Sequence, residues 1–126
     1  METIRTSDAP EAVGTYSQGR VVNGMIFTSG QIAIDPETGQ LVSADFPSEA
    51  EQVLDNLLSV VRAGGGDRDS IVKTSVFLTD LSLYDSLNEV YRSYFEDSLP
   101  ARSVVEVQSL PKDVHLEIEA VASAIR

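Results

Sequence analysis

The sequence predicts an α+β domain in which two α-helices pack on one face of a mixed sheet of about six strands. Three observations lead there. Asn23-Gly24 separates two β-rich runs, two stretches repeat apolar residues at helical spacing, and the last quarter of the chain alternates as strands do. With 126 residues, 42% of them hydrophobic, the chain is long enough to enclose a core, and it is read as one domain over residues 1–126.

Residues 3–6 suit a short edge strand, and a loop containing Pro10 and Gly14 leads to Tyr16-Ser17-Gln18-Gly19. Arg20–Val22 and Met25–Ser29 flank Asn23-Gly24. A tight hairpin wants φ > 0 at both turn positions, which Asn and Gly tolerate best. Gly30 ends that strand, and Gln31–Ile34, the turn Asp35–Gly39 and a short strand near Leu41-Val42 follow. Val53, Leu54, Leu57, Leu58 and Val61 lie on one face of a helix. It starts at Asp45 or at Ser48, the latter with Glu51 as a capping box, and Gly64-Gly65-Gly66 stops it. Ile71–Leu78 alternates, with Val72, Thr74, Val76 and Leu78 opposite Lys73, Ser75 and Phe77. A second helix spans Ser82–Phe95 with the stripe Leu83, Leu87, Val90, Tyr91 and Tyr94, capped by Ser82 with Asp85, and Pro100 blocks its continuation.

Two strands joined by Leu110-Pro111-Lys112-Asp113 close the chain. In the first, Arg102, Val104 and Glu106 oppose Ser103, Val105 and Val107; in the second, Leu116, Ile118, Ala120 and Ala122 oppose His115, Glu117 and Glu119. If the apolar faces share one core, Arg102 and the two glutamates occupy the other side of the sheet. Two helices cover one face only. The uncovered face would then carry Phe77, Val104 and Met25 or Phe27 beside Arg102, Glu117 and Glu119. That mixture is too apolar for open water and predicts a homo-oligomer.

Composition removes several functions. The net charge is −11, with two lysines against seven arginines, and such a surface repels nucleic acid. No apolar run approaches the ~20 residues of a membrane helix, and Met1-Glu-Thr-Ile-Arg5 lacks a signal-peptide pattern. A cytoplasmic location without membrane or nucleic-acid partners is expected. Without cysteine there is no disulfide, thiol nucleophile or thiolate metal site. His115 is the one histidine and has only glutamates as neighbouring ligands, so no metal site is expected. The run Gly64–Gly66 lacks the lysine of a phosphate loop.

Arg102 is the first candidate for function. Its planar fork grips a carboxylate bidentately and keeps its charge where water is scarce. It is either a receptor for a small acid or the partner of Glu106, Glu117 or Glu119. Glu117 and Glu119 lie roughly 7 Å apart on one strand face and either do acid–base work or are simply solvated. Tyr16, in a glycine-flanked loop, either covers a ligand or packs at an interface. Gly30 either permits close approach of a ligand or serves as a turn glycine.

Gly14-Thr15-Tyr16-Ser17-Gln18, Thr28-Ser29-Gly30-Gln31, Val72-Lys73-Thr74, Pro100-Ala101-Arg102-Ser103 and Leu110-Pro111-Lys112-Asp113 with Glu117-Ile118-Glu119-Ala120 together resemble the RidA/YjgF family of reactive intermediate deaminases. The resemblance spans nearly the whole chain. It implies a chorismate-mutase-like fold and a homotrimer with sites between subunits. It also implies hydrolysis of 2-aminoacrylate, 2-iminopropanoate and 2-iminobutanoate to 2-keto acids and ammonia, without cofactor or metal. On that pattern Arg102 would hold the substrate carboxylate and Glu117 would position the water. Tyr16 from a neighbour would close the site, Gly30 and Asn88 would line it, and backbone groups at Val104 would touch the substrate. Many members carry cysteine where this chain has Val104 and proline where it has Thr15. A trimer that senses a small carboxylate metabolite without converting it is the competing reading.

Overall fold

Asn23 and Gly24 both take positive φ, 50° and 75°, and turn the hairpin between β2 (Gly19–Val22) and β3 (Met25–Thr28). A computed structural model of the protein describes residues 1–124 and adds β1 (Glu2–Ile4), α1 (Phe46–Ala63), β4 (Ile71–Leu78), α2 (Tyr84–Phe95), β5 (Ala101–Glu106) and β6 (Leu116–Ser123). The sheet order is β1-β2-β3-β6-β4-β5. All neighbours are antiparallel except β4 and β5, because α2 carries the chain back across the sheet before β5 begins. The sheet is thus mixed and six-stranded, as expected.

Both helices lie on one face. α1 sinks Val53, Leu57, Val60 and Val61 to 0% exposure, and α2 buries Leu87, Val90, Tyr91 and Phe95. Opposite them sit Ile26, Val76, Leu78, Leu116 and Ile118. Asp45, not Ser48, caps α1: its carboxylate accepts the Ser48 N–H at 2.8 Å. At the other end the Gly66 N–H returns to Val61 O at 3.0 Å. α2 begins two residues later than predicted. Leu81–Leu83 form a 3-10 turn capped by Asp80, so Ser82 donates its N–H to that carboxylate instead of capping the helix. The Leu41-Val42 strand shrinks to a single bridge between Ile34 and Leu41. The first strand ends at Ile4, because the Thr6 N–H bonds the Gln18 side chain.

The faces of the last two strands need correction. β5 and β6 do not pair; both flank β4. The parallel register sets Arg102 beside Thr74, Val104 beside Val76 and Glu106 beside Leu78, all on the helix-covered side. Glu119 lies beside Ser75 and Glu117 beside Phe77, on the open side. Arg102 and Val104 therefore do not share a face with the glutamates. The apolar count misled because β5 is an edge strand: Val105 faces outward at 48% exposure while Arg102 points inward at the margin of the core. Val72 is likewise turned out, at 50% exposure, by a register shift between Ile71 and Lys73.

The open face carries Phe27, Phe77, Val105, Glu117 and Glu119, as the sequence predicts for Phe77 and the two glutamates and, in the pair Met25 or Phe27, for Phe27. His115 lies just before β6. Its N–H and Nδ1 meet the two carboxylate oxygens of buried Glu49 at 2.8 Å each, tying β6 to the first turn of α1. Among the described residues no helix is long and apolar enough to cross a membrane.

Candidate functional site: two half-sites on opposite faces

The first half-site is built where β5 passes α2. Asn88 faces the strand one turn after Tyr84, and Tyr91 follows three residues later, so all three lie on one side of the helix. The Arg102 guanidinium lies over the Tyr91 ring, 4.7 Å from its centre, and 5.5 Å from that of Tyr84. Its Nη2 donates to Asn88 Oδ1 at 2.9 Å and to the Tyr84 hydroxyl at 3.2 Å. Tyr91 is itself fixed by a 2.6 Å bond to the Thr74 hydroxyl beneath it, and burial pushes its phenol upward despite that bond and the nearby Arg102 charge. Cation–π contact and a side-chain amide fix the position of the guanidinium without neutralising it.

No carboxylate among the described residues pairs with Arg102. Glu106, a candidate partner, instead accepts the Leu81 N–H at 2.8 Å. Within one chain the ion-pair reading of Arg102 thus finds no carboxylate among the described residues. Two clefts meet at this residue, one of about 510 Å³ walled by Leu81, Tyr84 and Val104, the other of about 330 Å³ walled by Asn88, Tyr91, Arg92, Leu99 and Pro100. Val104 lines the first cleft, where the family resemblance implies a backbone contact.

The second half-site faces the other way. After Thr28 the chain leaves regular pairing with β6, and the Thr28 hydroxyl takes the Ala120 N–H at 3.0 Å. It rejoins at Gln31, which exchanges two backbone bonds with Ile118, at 2.8 and 3.1 Å. Gly30 is thereby held against Glu117. A Cβ on Gly30 would stand 2.7 Å from Glu117 Cδ and closer still to Oε2. Gly30 does not lie in the left-handed region, so it is glycine for space rather than for backbone freedom. Burial pushes the Glu117 carboxyl above its ordinary range, and the charge of Glu119 adds to the shift. A carboxylate so placed is a better base than a solvated one.

Tyr16 precedes a segment anchored to this half, and itself lines a separate cavity with Thr6, Ala9, Glu11 and Pro36. Ser29 donates its N–H to Gln18 O at 2.9 Å and its hydroxyl to Ser17 O, fastening the 16–18 segment beside Gly30. Buried Gln18 holds the preceding loop through Thr6 and Pro10. Tyr16 itself is 53% exposed. Of the six residues singled out in the sequence, Asn88, Arg102 and Val104 gather on one side of the sheet, Gly30 and Glu117 meet on the other, and Tyr16 lies in the loop that leads to Gln18. Sequence reasoning missed Tyr84. Its spacing of four from Asn88 and seven from Tyr91 was the available signal.

Among the described residues no group of three or more acidic or histidine side chains could hold a metal ion. Residues 6–124 match the family described as Endoribonuclease L-PSP. The 2-iminobutanoate/2-iminopropanoate deaminase of Rattus norvegicus is 46% identical over 121 residues, covering 96% of this chain and 88% of the relative. The protein of the same name from Homo sapiens is 45% identical, covering 94% and 87%. Two solved Escherichia coli structures superpose with a TM-score of 0.93 and cover 98% of both chains: the YjgF gene product at 46% identity and TdcF with bound serine at 44%. The chain belongs to the Endoribonuclease L-PSP family, the family of the RidA and YjgF proteins.

Proposed function

We propose that the protein hydrolyses 2-aminoacrylate, its tautomer 2-iminopropanoate, and 2-iminobutanoate to 2-keto acids and ammonia. The observation that carries this reading is the unneutralised Arg102 guanidinium, held ready at the mouth of a cleft with no carboxylate of the described residues upon it. A small acid would complete it. TdcF, of similar fold, holds serine, a carboxylate of the size required.

Arg102 binds the carboxylate and Glu117 takes a proton from water as it attacks the imine carbon. Glu117 gives that proton to the imine nitrogen, then carries the carbinolamine's hydroxyl proton to the same nitrogen as the C–N bond breaks, expelling ammonia and leaving the keto acid. Imines already hydrolyse in water, so orientation and one base supply what the reaction needs. Because Arg102 and Glu117 look out from opposite sides of the sheet, a site using both draws them from two copies of the chain. Such an interface joins unlike surfaces, which close into a ring when successive rotations return to the start. Three copies make the ring in this reading, with Tyr16 arriving beside Glu117 from the same neighbour. The expected mass in solution is about three times the 13.6 kDa of one chain.

The test generates 2-iminobutanoate in situ and traps what survives with semicarbazide. The wild type should deplete the trapped product. Arg102→Ala should lower kcat/KM roughly a hundredfold or more, since a charge-assisted bidentate grip is lost. Full activity in that variant refutes the reading. Binding of the keto acid without any depletion would favour the sensor.

Gly30→Ala gives a second check. The methyl group must push the Glu117 carboxylate aside, and that carboxylate is the free end of a flexible side chain, so the fold has little to lose. The expected outcome is a kcat lower by roughly ten- to a hundredfold, with the thermal midpoint moved by no more than about 3 °C. Steady-state rates with a circular-dichroism melt would measure both.

A further inference from the structure

Among the described residues Arg102 lacks a carboxylate partner, yet part of its fork is already engaged. Nη2 has two hydrogens, and both have acceptors: Asn88 Oδ1 at 2.9 Å and the Tyr84 hydroxyl at 3.2 Å. A guanidinium grips a carboxylate in a plane with two parallel bonds, from Nη1 with Nη2 or from Nη2 with Nε. Each mode uses an Nη2 hydrogen. A carboxylate gripped this way therefore displaces one of the two acceptors.

Tyr84 is the one placed to yield. Its bond is the longer, it is solvent-exposed, and its ring walls the same cleft as Leu81, Arg102 and Val104. Asn88 holds the shorter and more buried bond. A phenol hydroxyl both accepts and donates. Toward Arg102 the Tyr84 oxygen can only accept, and among the described residues its own hydrogen has no acceptor. Once an anionic oxygen occupies the Nη2 hydrogen, the phenol stands beside that anion with a hydrogen to give.

We propose that Tyr84 is a substrate-binding residue that reads the carboxylate, exchanging its bond from Arg102 for a bond donated to the substrate. The anion is then held by Arg102 and Tyr84 together, while Asn88 keeps the guanidinium in position. The ligands recognised are small 2-imino, 2-oxo and 2-amino monocarboxylates, with short aliphatic chains against Leu81 and Val104. This rests on Arg102 being the carboxylate receptor and is independent of the chemistry that follows.

Calorimetric titration of wild type and Tyr84→Phe with 2-oxobutanoate and with its neutral amide, 2-oxobutanamide, tests it. The variant should bind the acid about tenfold more weakly and the amide as the wild type does. In the imine assay its KM should rise by a similar factor while kcat stays within about threefold. Unchanged or tighter binding of the acid would mean that the hydroxyl merely competes for Nη2, and overturns the proposal. An equal loss for acid and amide assigns Tyr84 a structural role and also overturns it, as does a wild type that does not bind 2-oxobutanoate. If wild type discriminates acid from amide through Tyr84 yet hydrolyses no imine, the deaminase reading falls and the Tyr84 assignment stands.

Discussion

Mixing Arg102→Ala chains with Glu117→Gln chains should restore about a quarter of wild-type activity, although each variant alone is nearly inactive. The expectation follows from the two faces of the sheet. Arg102 sits beside Thr74 on the helix side, and Glu117 beside Phe77 on the open side. A site assembled between copies takes its arginine from one chain and its glutamate from the next. In a ring of three, any mixed assembly contains one junction where an intact Arg102 meets an intact Glu117. Random mixing makes about three quarters of the rings mixed, so about a quarter of all junctions work. Unfolding and refolding the two variants together, with native mass spectrometry to verify exchange, gives the measurement. Exchange without recovered activity would show that both residues serve a site within one chain or that one of them serves none.

The second large effect is the loss of kcat in Glu117→Gln, expected at roughly 10²–10⁴-fold. Glutamine keeps the size of the side chain and removes the base. Stability should move the other way. Burial and Glu119 raise the Glu117 carboxyl, so its ionised form is less favourable in the folded protein than in the unfolded chain. The contribution is absent below the unfolded value, near pH ~4, and grows as a penalty while pH rises through the folded value. The glutamine variant should therefore melt slightly higher than wild type at pH 7, with the gap closing toward pH ~4. The wild-type rate should fall on the acidic side as Glu117 takes up its proton. A variant that melts lower at neutral pH would place Glu117 in the fold rather than in the chemistry.

Much of the fold could be read from periodicity because its elements are locally consistent. Asn23-Gly24 has one favourable use between strands, and the α1 stripe from Val53 to Val61 repeats over about two and a half turns before a triple glycine. The face of β5 could not be read that way. An edge strand buries little on either side, so Val105 outside and Arg102 inside is decided by pairing with β4, a contact between residues far apart in sequence. The same error concealed the division of the site. Arg102 and Glu117 were identifiable as residue types, but their separation depends on β4 lying between their strands. Tyr84 was hidden differently: its hydroxyl matters through a bond to a residue 18 positions away. The two readings of Gly30, a turn glycine or room for a ligand, both missed the side chain that occupies its absent Cβ.

Val104 has one more consequence, in redox terms. The chain contains no cysteine, and its sulfur is confined to Met1 and Met25, neither of which lines the clefts at Arg102. Peroxide attacks thiolates first and thioethers next, and thiol-directed electrophiles need a thiolate. A cleft walled by valine, leucine and tyrosine offers them neither. Activity should survive peroxide and alkylating agents at doses that inactivate a relative with cysteine at this position, so the protein can work while thiol enzymes around it are being oxidised.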